Sequence, residues 1–434
     1  MKRALHALCV ALPLAALSTS FAQDAAPALT EPSPAPTPAE FVPLPSPMPP
    51  PSRERPAENT DEGGLWGMSD RAEVQARAAG TLERDAALNA YVRGVACRVA
   101  AHYCGDVRLY IMNRPFFNAQ MAPNGYMEVW SGLMLRADNE AQLAFVLGHE
   151  IGHYGERHSL DALRATRARA NGAMIASVAV AVVGAAAAAN SPNSAGSIAD
   201  ATRVATDAIY LGTIASLFAF SRENESQADQ IGFDHALAAG YDPGAGAALW
   251  ASLVAETGAS DNPDVRRRDT RASIFATHPL SRERMEALQQ RAAAHAGGGE
   301  TDHERYRAAI RPFLDPWLRA ELRRRDFGQT LMVLDRLSAR GEDLGVVEFY
   351  RGEVFRLRRG EGDRAQAKTH YQAAIAQADA PAAAWRELGD IEAREGASAA
   401  AAEHFRIYLE RAPSAEDHAL VEARLAQLTQ GGAQ

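Results

Sequence analysis

Residues 143–153 read Leu143-Ala144-Phe145-Val146-Leu147-Gly148-His149-Glu150-Ile151-Gly152-His153. An apolar run leads directly into two histidines four residues apart, with a glutamate after the first. On a helix, positions i and i+4 fall within about 40° of each other, so both imidazoles can reach one ion. Glu150 is placed to take a proton from a water on that ion, which zinc makes acidic enough for a carboxylate at neutral pH. In a chain with this His and Glu content the pattern arises by chance on the order of 0.02 times, so two unrelated surface histidines are a poor explanation.

The surroundings support a helix here. Asp138 can cap its start and Glu140 favours the dipole in its first turn. The pattern predicts a helix running to about Arg157, with Leu143, Val146, Leu147 and Ile151 on its buried side. Upstream, helices are expected over about 70–80 and 84–102. Val107 to Ile111 alternates as a strand. Tyr126 to Trp130 reads as another, after the turn signal Pro123-Asn124-Gly125. His158 lies nine residues after His149 and so faces the opposite side of a continuous helix. It reads as a surface residue or a neighbour of the ligands, not as a ligand.

A catalytic zinc takes three protein ligands and keeps one open position. The best source of the third is Ser221-Arg222-Glu223-Asn224-Glu225-Ser226-Gln227-Ala228-Asp229. Glu225 and Asp229 are again four apart and share a helix face. Glu225 can ligate while Asp229 accepts a hydrogen bond from a ligand imidazole. Glu223 points elsewhere on that helix.

These residues together resemble the zinc metallopeptidase family that includes HtpX, the CAAX prenyl proteases and the periplasmic BepA type. That family pairs HExxH with a glutamate in a later E-x-x-x-D helix, often introduced by Ser-Arg, as at Ser221-Arg222 here. The resemblance covers about residues 70–295. It implies a mainly α domain with a small β-sheet, an α+β zincin-like peptidase, with one Zn2+ per chain. It implies His149, His153 and Glu225 as metal ligands and Glu150 as base, with Asp229 orienting an imidazole. Asn118-Ala119 precedes the strand that lies over the cleft in the family, and Tyr126 to Trp130 is expected at the cleft edge. An extended substrate adding there would meet Asn118, Tyr126 and Val129. Thr277-His278-Pro279-Leu280, followed by Arg284, matches a segment near the metal. His278 then has three readings: donor to the tetrahedral oxyanion, fourth ligand in a closed state, or structural residue before a rigid turn. One departure is Gln142, where the family usually has glutamate; it reads as a change on the helix surface.

The termini suggest where the chain works. Lys2 and Arg3, an uncharged run to Leu17 and Ser20-Phe21-Ala22 predict an export signal over residues 1–22, with a single membrane anchor as the alternative. Cys9 lacks a convincing lipobox. Export points to the periplasm, where the two remaining cysteines, Cys97 and Cys104, favour a disulfide over free thiols. Residues 23–62 are Pro- and Ala-rich and read as a tether. The peptidase domain is expected over 63–300. Within it, Asn171 to Ala199 and Ala208 to Phe220 carry no charged residue. They read as packed helices or an apolar flap beside the site, with peripheral membrane contact open.

Residues 303–434 are expected to be an all-α repeat domain. Ala367 and Tyr371 recur 34 residues later as Ala401 and Phe405, and Trp385, Leu388, Gly389 and Pro413 complete a tetratricopeptide pattern. Such repeats present concave surfaces to proteins or peptides. The net charge of −9 argues against nucleic-acid binding. The resemblance implies protein substrates: unfolded or misassembled envelope proteins, with the outer-membrane assembly machinery docked through the repeats. A chaperone-like adaptor with a closed zinc site is the competing reading.

Overall fold

A computed structural model describes residues 54–169, 220–267, 282–295 and 298–431. The export signal, most of the tether, the Gly172 to Ala219 run and His278 lie outside these residues. Among the described residues the chain is mainly helical, with one three-stranded sheet and an all-α C-terminal part.

The sheet comprises β1 (Arg108–Met112), β2 (Ala119–Met121) and β3 (Tyr126–Trp130), in the order β1-β3-β2. β1 pairs in parallel with β3, with Arg108 opposite Tyr126. β2 pairs antiparallel, with Ala119 opposite Val129. The turn into β3 depends on Gly125, whose φ is +86° and whose added Cβ would lie 2.3 Å from the Asp106 carbonyl oxygen.

The first described helix spans Asp61–Ala78 and starts well before the expected residue 70. Thr60 caps it by accepting from the Gly63 amide, and Asp61 and Glu62 favour its dipole. Helix Ala86–Val99 follows. Cys97 at its end is bonded to Cys104 across a short 3-10 turn, as expected.

The motif helix spans Glu140–Gly155, and every one of its residues is buried. Its cap is Asn139, which accepts from the Gln142 amide; Asp138 does not cap it. Gln142 is not on the surface either. It is buried, and its Oε1 accepts from the Asp138 amide, a second link across the helix start. Glu140 accepts from Tyr241 Oη at 2.6 Å, Tyr91 Oη at 2.7 Å and Arg305 Nε at 2.7 Å. The helix stops two residues earlier than expected because Arg157 takes φ +57° and turns the chain into a new helix, His158–Arg169.

The acidic helix, Arg222–Ala238, opens on a capping box made by Ser221 and Asn224. It crosses the motif helix at glycines. A Cβ on Gly148 would lie 3.1 Å from Gly232 Cα, and one on Gly232 would lie 2.8 Å from the His149 amide nitrogen. Side chains there would hold the two backbones apart.

Among the described residues, eight α-helices and one 3-10 turn follow residue 302, from His303–Ile310 to His418–Gly431. The repeat seen in the sequence has a packing basis. Gly352 lies against the Tyr371 ring and Gly389 against the Phe405 ring, the same small-on-large contact in successive repeats. The extra residues between them fall in the turn from Arg359 to Gly362, which holds two left-handed positions, Arg359 and Gly362. The buried core runs without a break from Leu88 in the first part to Val421 in the repeats. Arg136, 1% exposed, joins the two parts by pairing with Glu256 at 2.7 Å and Glu321 at 2.8 Å. No described helix is long and apolar enough to cross a membrane.

Candidate active site

The glycine crossing sets the motif histidines against the carboxylates of the acidic helix. His149 Nε2 and His153 Nε2 lie 3.0 Å apart. Glu225 places Oε2 at 3.6 Å from the first and Oε1 at 3.7 Å from the second. Ligand atoms about 2 Å from a tetrahedral zinc are separated by roughly 3.3 Å, so the three donors span the right triangle. All three residues are 1–2% exposed, and they form the one His/Cys/Asp/Glu group able to hold a metal among the described residues.

The charges also fit a dication. Among the described residues, Glu150, Glu225 and Asp229 are buried near the guanidinium of Arg284. Arg284 reaches Glu225 Oε2 with Nη1 at 2.7 Å and grips Asp229 with Nε at 2.6 Å and Nη2 at 2.7 Å. Among the described residues, carboxylates outnumber guanidiniums in this dry site. Such an excess is costly unless a cation offsets it.

Asp229 lies 3.1 Å from His149 Nδ1, the position expected for a carboxylate that orients a ligand. Burial alone would raise its carboxyl pKa. Arg284 and the neighbouring His149 outweigh that and hold it at about 2.

His158 is where a continuous helix would not have put it. The left-handed Arg157 brings it back against the motif. It is 1% exposed, with Nδ1 2.8 Å from His153 Nδ1 and Nε2 3.2 Å from Gln227 Oε1. Burial lowers its pKa. It is therefore a buried neighbour of a ligand, and its surface reading does not hold. Phe220 stacks on the His153 ring, centroids 3.9 Å apart. No local signal in the sequence marks either contact. Arg284 was legible only through the His-Pro segment before it. Glu223 is exposed.

The residues expected to meet substrate are placed differently. β3 is the central strand, so both of its edges are already paired, and the expectation that it forms the cleft edge is overturned. Val129 is fully buried in the main core and Tyr126 in a second cluster that includes Phe220. Asn118 immediately precedes β2, the outer strand beside β3, and its carbonyl accepts from the Trp130 amide at 3.0 Å.

The sequence model of peptidase family M48 matches residues 82–292. Among curated relatives, the chain is similar to the beta-barrel assembly-enhancing protease of Escherichia coli O157:H7. Identity is 28% over 52% of this chain and 43% of the relative. It is 30% identical to the mitochondrial metalloendopeptidase OMA1 of Schizosaccharomyces pombe, over 42% of this chain and 45% of that protein. It is also 30% identical to the metalloprotease YcaL of Escherichia coli strain K12, over 41% of this chain and 59% of that protein. The chain thus spans less than half the length of the assembly-enhancing protease it matches. The matched span contains the motif helix, the acidic helix and Arg284, so residues 82–292 form a peptidase family M48 domain.

Proposed function

We propose that the protein is an exported zinc metalloendopeptidase that cleaves unfolded or misassembled envelope proteins, those of the outer membrane among them. The observation that carries this is the buried triangle of His149, His153 and Glu225 with Glu150 next to the first histidine. Zinc held by the three would supply Lewis-acid activation of water. Glu150 takes the proton of the attacking water and passes it to the leaving amine. Asp229 keeps His149 in one tautomer, and Arg284 keeps Asp229 ionised and pairs with Glu225. His278 remains a candidate for the oxyanion donor or a fourth ligand. With β3 enclosed, an extended substrate would add to β2, beside Asn118, through main-chain hydrogen bonds that tolerate many sequences. The name of the assembly-enhancing relatives supports clients among outer-membrane proteins, with the helical repeats as the docking part.

One observation favours the second reading, an adaptor whose site rests closed: His149, Glu150, His153 and Glu225 are all at most 2% exposed. The Glu150→Gln variant separates the two. Zinc content should stay at one per chain while cleavage of an unfolded protein falls about 10²–10⁴-fold. Unchanged cleavage would sink the peptidase reading. Full rescue of a deletion phenotype by the variant would assign the biological role to the adaptor.

A further inference from the structure

The two ligand imidazoles are not held alike. His149 Nδ1 faces a carboxylate, Asp229. A carboxylate accepts only, so the proton sits on His149 Nδ1 and Nε2 keeps its lone pair. His153 Nδ1 faces another imidazole nitrogen, His158 Nδ1, at 2.8 Å. That contact alone does not say which ring donates.

The far end of the chain of contacts decides it. Gln227 Nε2 donates to Glu156 Oε2 at 2.8 Å. Glu156 can only accept, so the Gln227 amide turns its NH₂ toward Glu156 and its Oε1 toward His158. Oε1 can only accept, so His158 carries its proton on Nε2, 3.2 Å away. In a neutral ring, His158 Nδ1 then holds a lone pair and accepts from His153. This leaves His153 Nε2 bare, facing His149 and Glu225.

We propose that His158 is a positioning residue for the metal ligand His153, set by a relay that runs from Glu156 through Gln227. The proposal rests on the metallopeptidase reading above. The relay gives the second imidazole what Asp229 gives the first, but without charge. A second carboxylate there would add to those already buried in the site. The relay also joins three backbone segments: the end of the motif helix at His153 and Glu156, the new helix at His158, and the acidic helix at Gln227. Gln227 lies between Glu225 and Asp229, so the relay helps fix the register of the helix that supplies the third ligand. The left-handed Arg157 is what makes this possible, since it returns His158 to the side of His153.

The test compares His158→Phe, which keeps a ring but no acceptor, with His158→Asn, whose Oδ1 stands close to the position of Nδ1. Zinc affinity is measured by chelator competition at fixed pH, and folding by circular dichroism. The expected result is a 10–100-fold loss of affinity in His158→Phe and recovery to within about 3-fold of wild type in His158→Asn. Equal losses in the two variants would make the role packing alone and overturn the proposal, as would wild-type affinity in a folded His158→Phe. A second measurement needs no variant. Proton–nitrogen NMR of metal-free, histidine-labelled protein should show His153 protonated at Nδ1 and His158 at Nε2. The opposite tautomers overturn the relay. The expected tautomers in a wild-type protein that takes up no zinc would support the relay and sink the metallopeptidase reading instead.

Discussion

His149 Nδ1 lies 3.1 Å from Asp229 Oδ1, and Arg284 closes the other side of the same carboxylate. The aspartate therefore orients a candidate ligand while a guanidinium keeps it ionised. Asp229→Asn removes the acceptor charge at nearly constant shape. We expect zinc affinity to fall about 10–100-fold with the fold retained. Chelator competition with a thermal melt checks both; wild-type affinity in the variant would remove Asp229 from the site.

The glycine crossing predicts a sharp steric effect. A Cβ on Gly232 would lie 2.8 Å from the His149 nitrogen and 2.9 Å from the Phe145 carbonyl oxygen. Both are backbone atoms of a fully buried helix and cannot turn aside. Gly232→Ala should cost about 1–3 kcal/mol of stability and weaken zinc binding, because it moves the acidic helix off the histidines. Gly94→Ala is the control. Nothing lies within 4 Å of a Cβ there, and helix propensity should make it neutral or stabilising.

The buried Arg136 holds Glu256 and Glu321 together, neither of which is exposed at all. Arg136→Met would remove the guanidinium shared by two buried carboxylates, leaving Glu256 paired with Arg336 and Glu321 with Arg324. A loss of about 1–3 kcal/mol is expected from denaturant unfolding, below that of a fully unpaired buried charge. Glu321 belongs to the repeat helices and Glu256 to the preceding part, and their core is continuous. Wild type should therefore unfold in one transition after residue 54. Two separated transitions would show that the repeats are energetically independent.

His235, on the acidic helix, gives a pH dependence away from the metal ligands. Burial, then the neighbouring His102, lowers its pKa to about 4. Between the ordinary histidine value near 6.5 and about 4, the unfolded chain holds a proton that the folded chain refuses. Its contribution to stability is thus fully present above pH 6.5 and is lost as pH falls toward 4, by up to about 1.4 kcal/mol per pH unit. Melting temperature measured across that range should fall less steeply in His235→Leu than in wild type.

Much of the candidate site was legible because its parts lie on single helices. His149 and His153, and likewise Glu225 and Asp229, are each one helical turn apart, and local spacing fixes their relative direction. The repeats were legible for a similar reason: Tyr371 and Phe405 recur because each must cover a glycine of its own helix pair. Short-range caps were less secure. Asn139 and not Asp138 starts the motif helix, a difference of one residue between two good capping types.

The sequence by itself determined the helices, the histidine and carboxylate pairs they carry, the Cys97–Cys104 bond and the repeat period. Only the tertiary structure decided that β3 is central and β2 outer, that Gly148 meets Gly232, and that His158 turns back onto His153. The physical reason is range. Periodicity reports which residues share a face of one element, whereas strand order and helix crossings are chosen by packing between residues far apart in the chain. The return of His158 hangs on a single left-handed residue, Arg157, which no period announces.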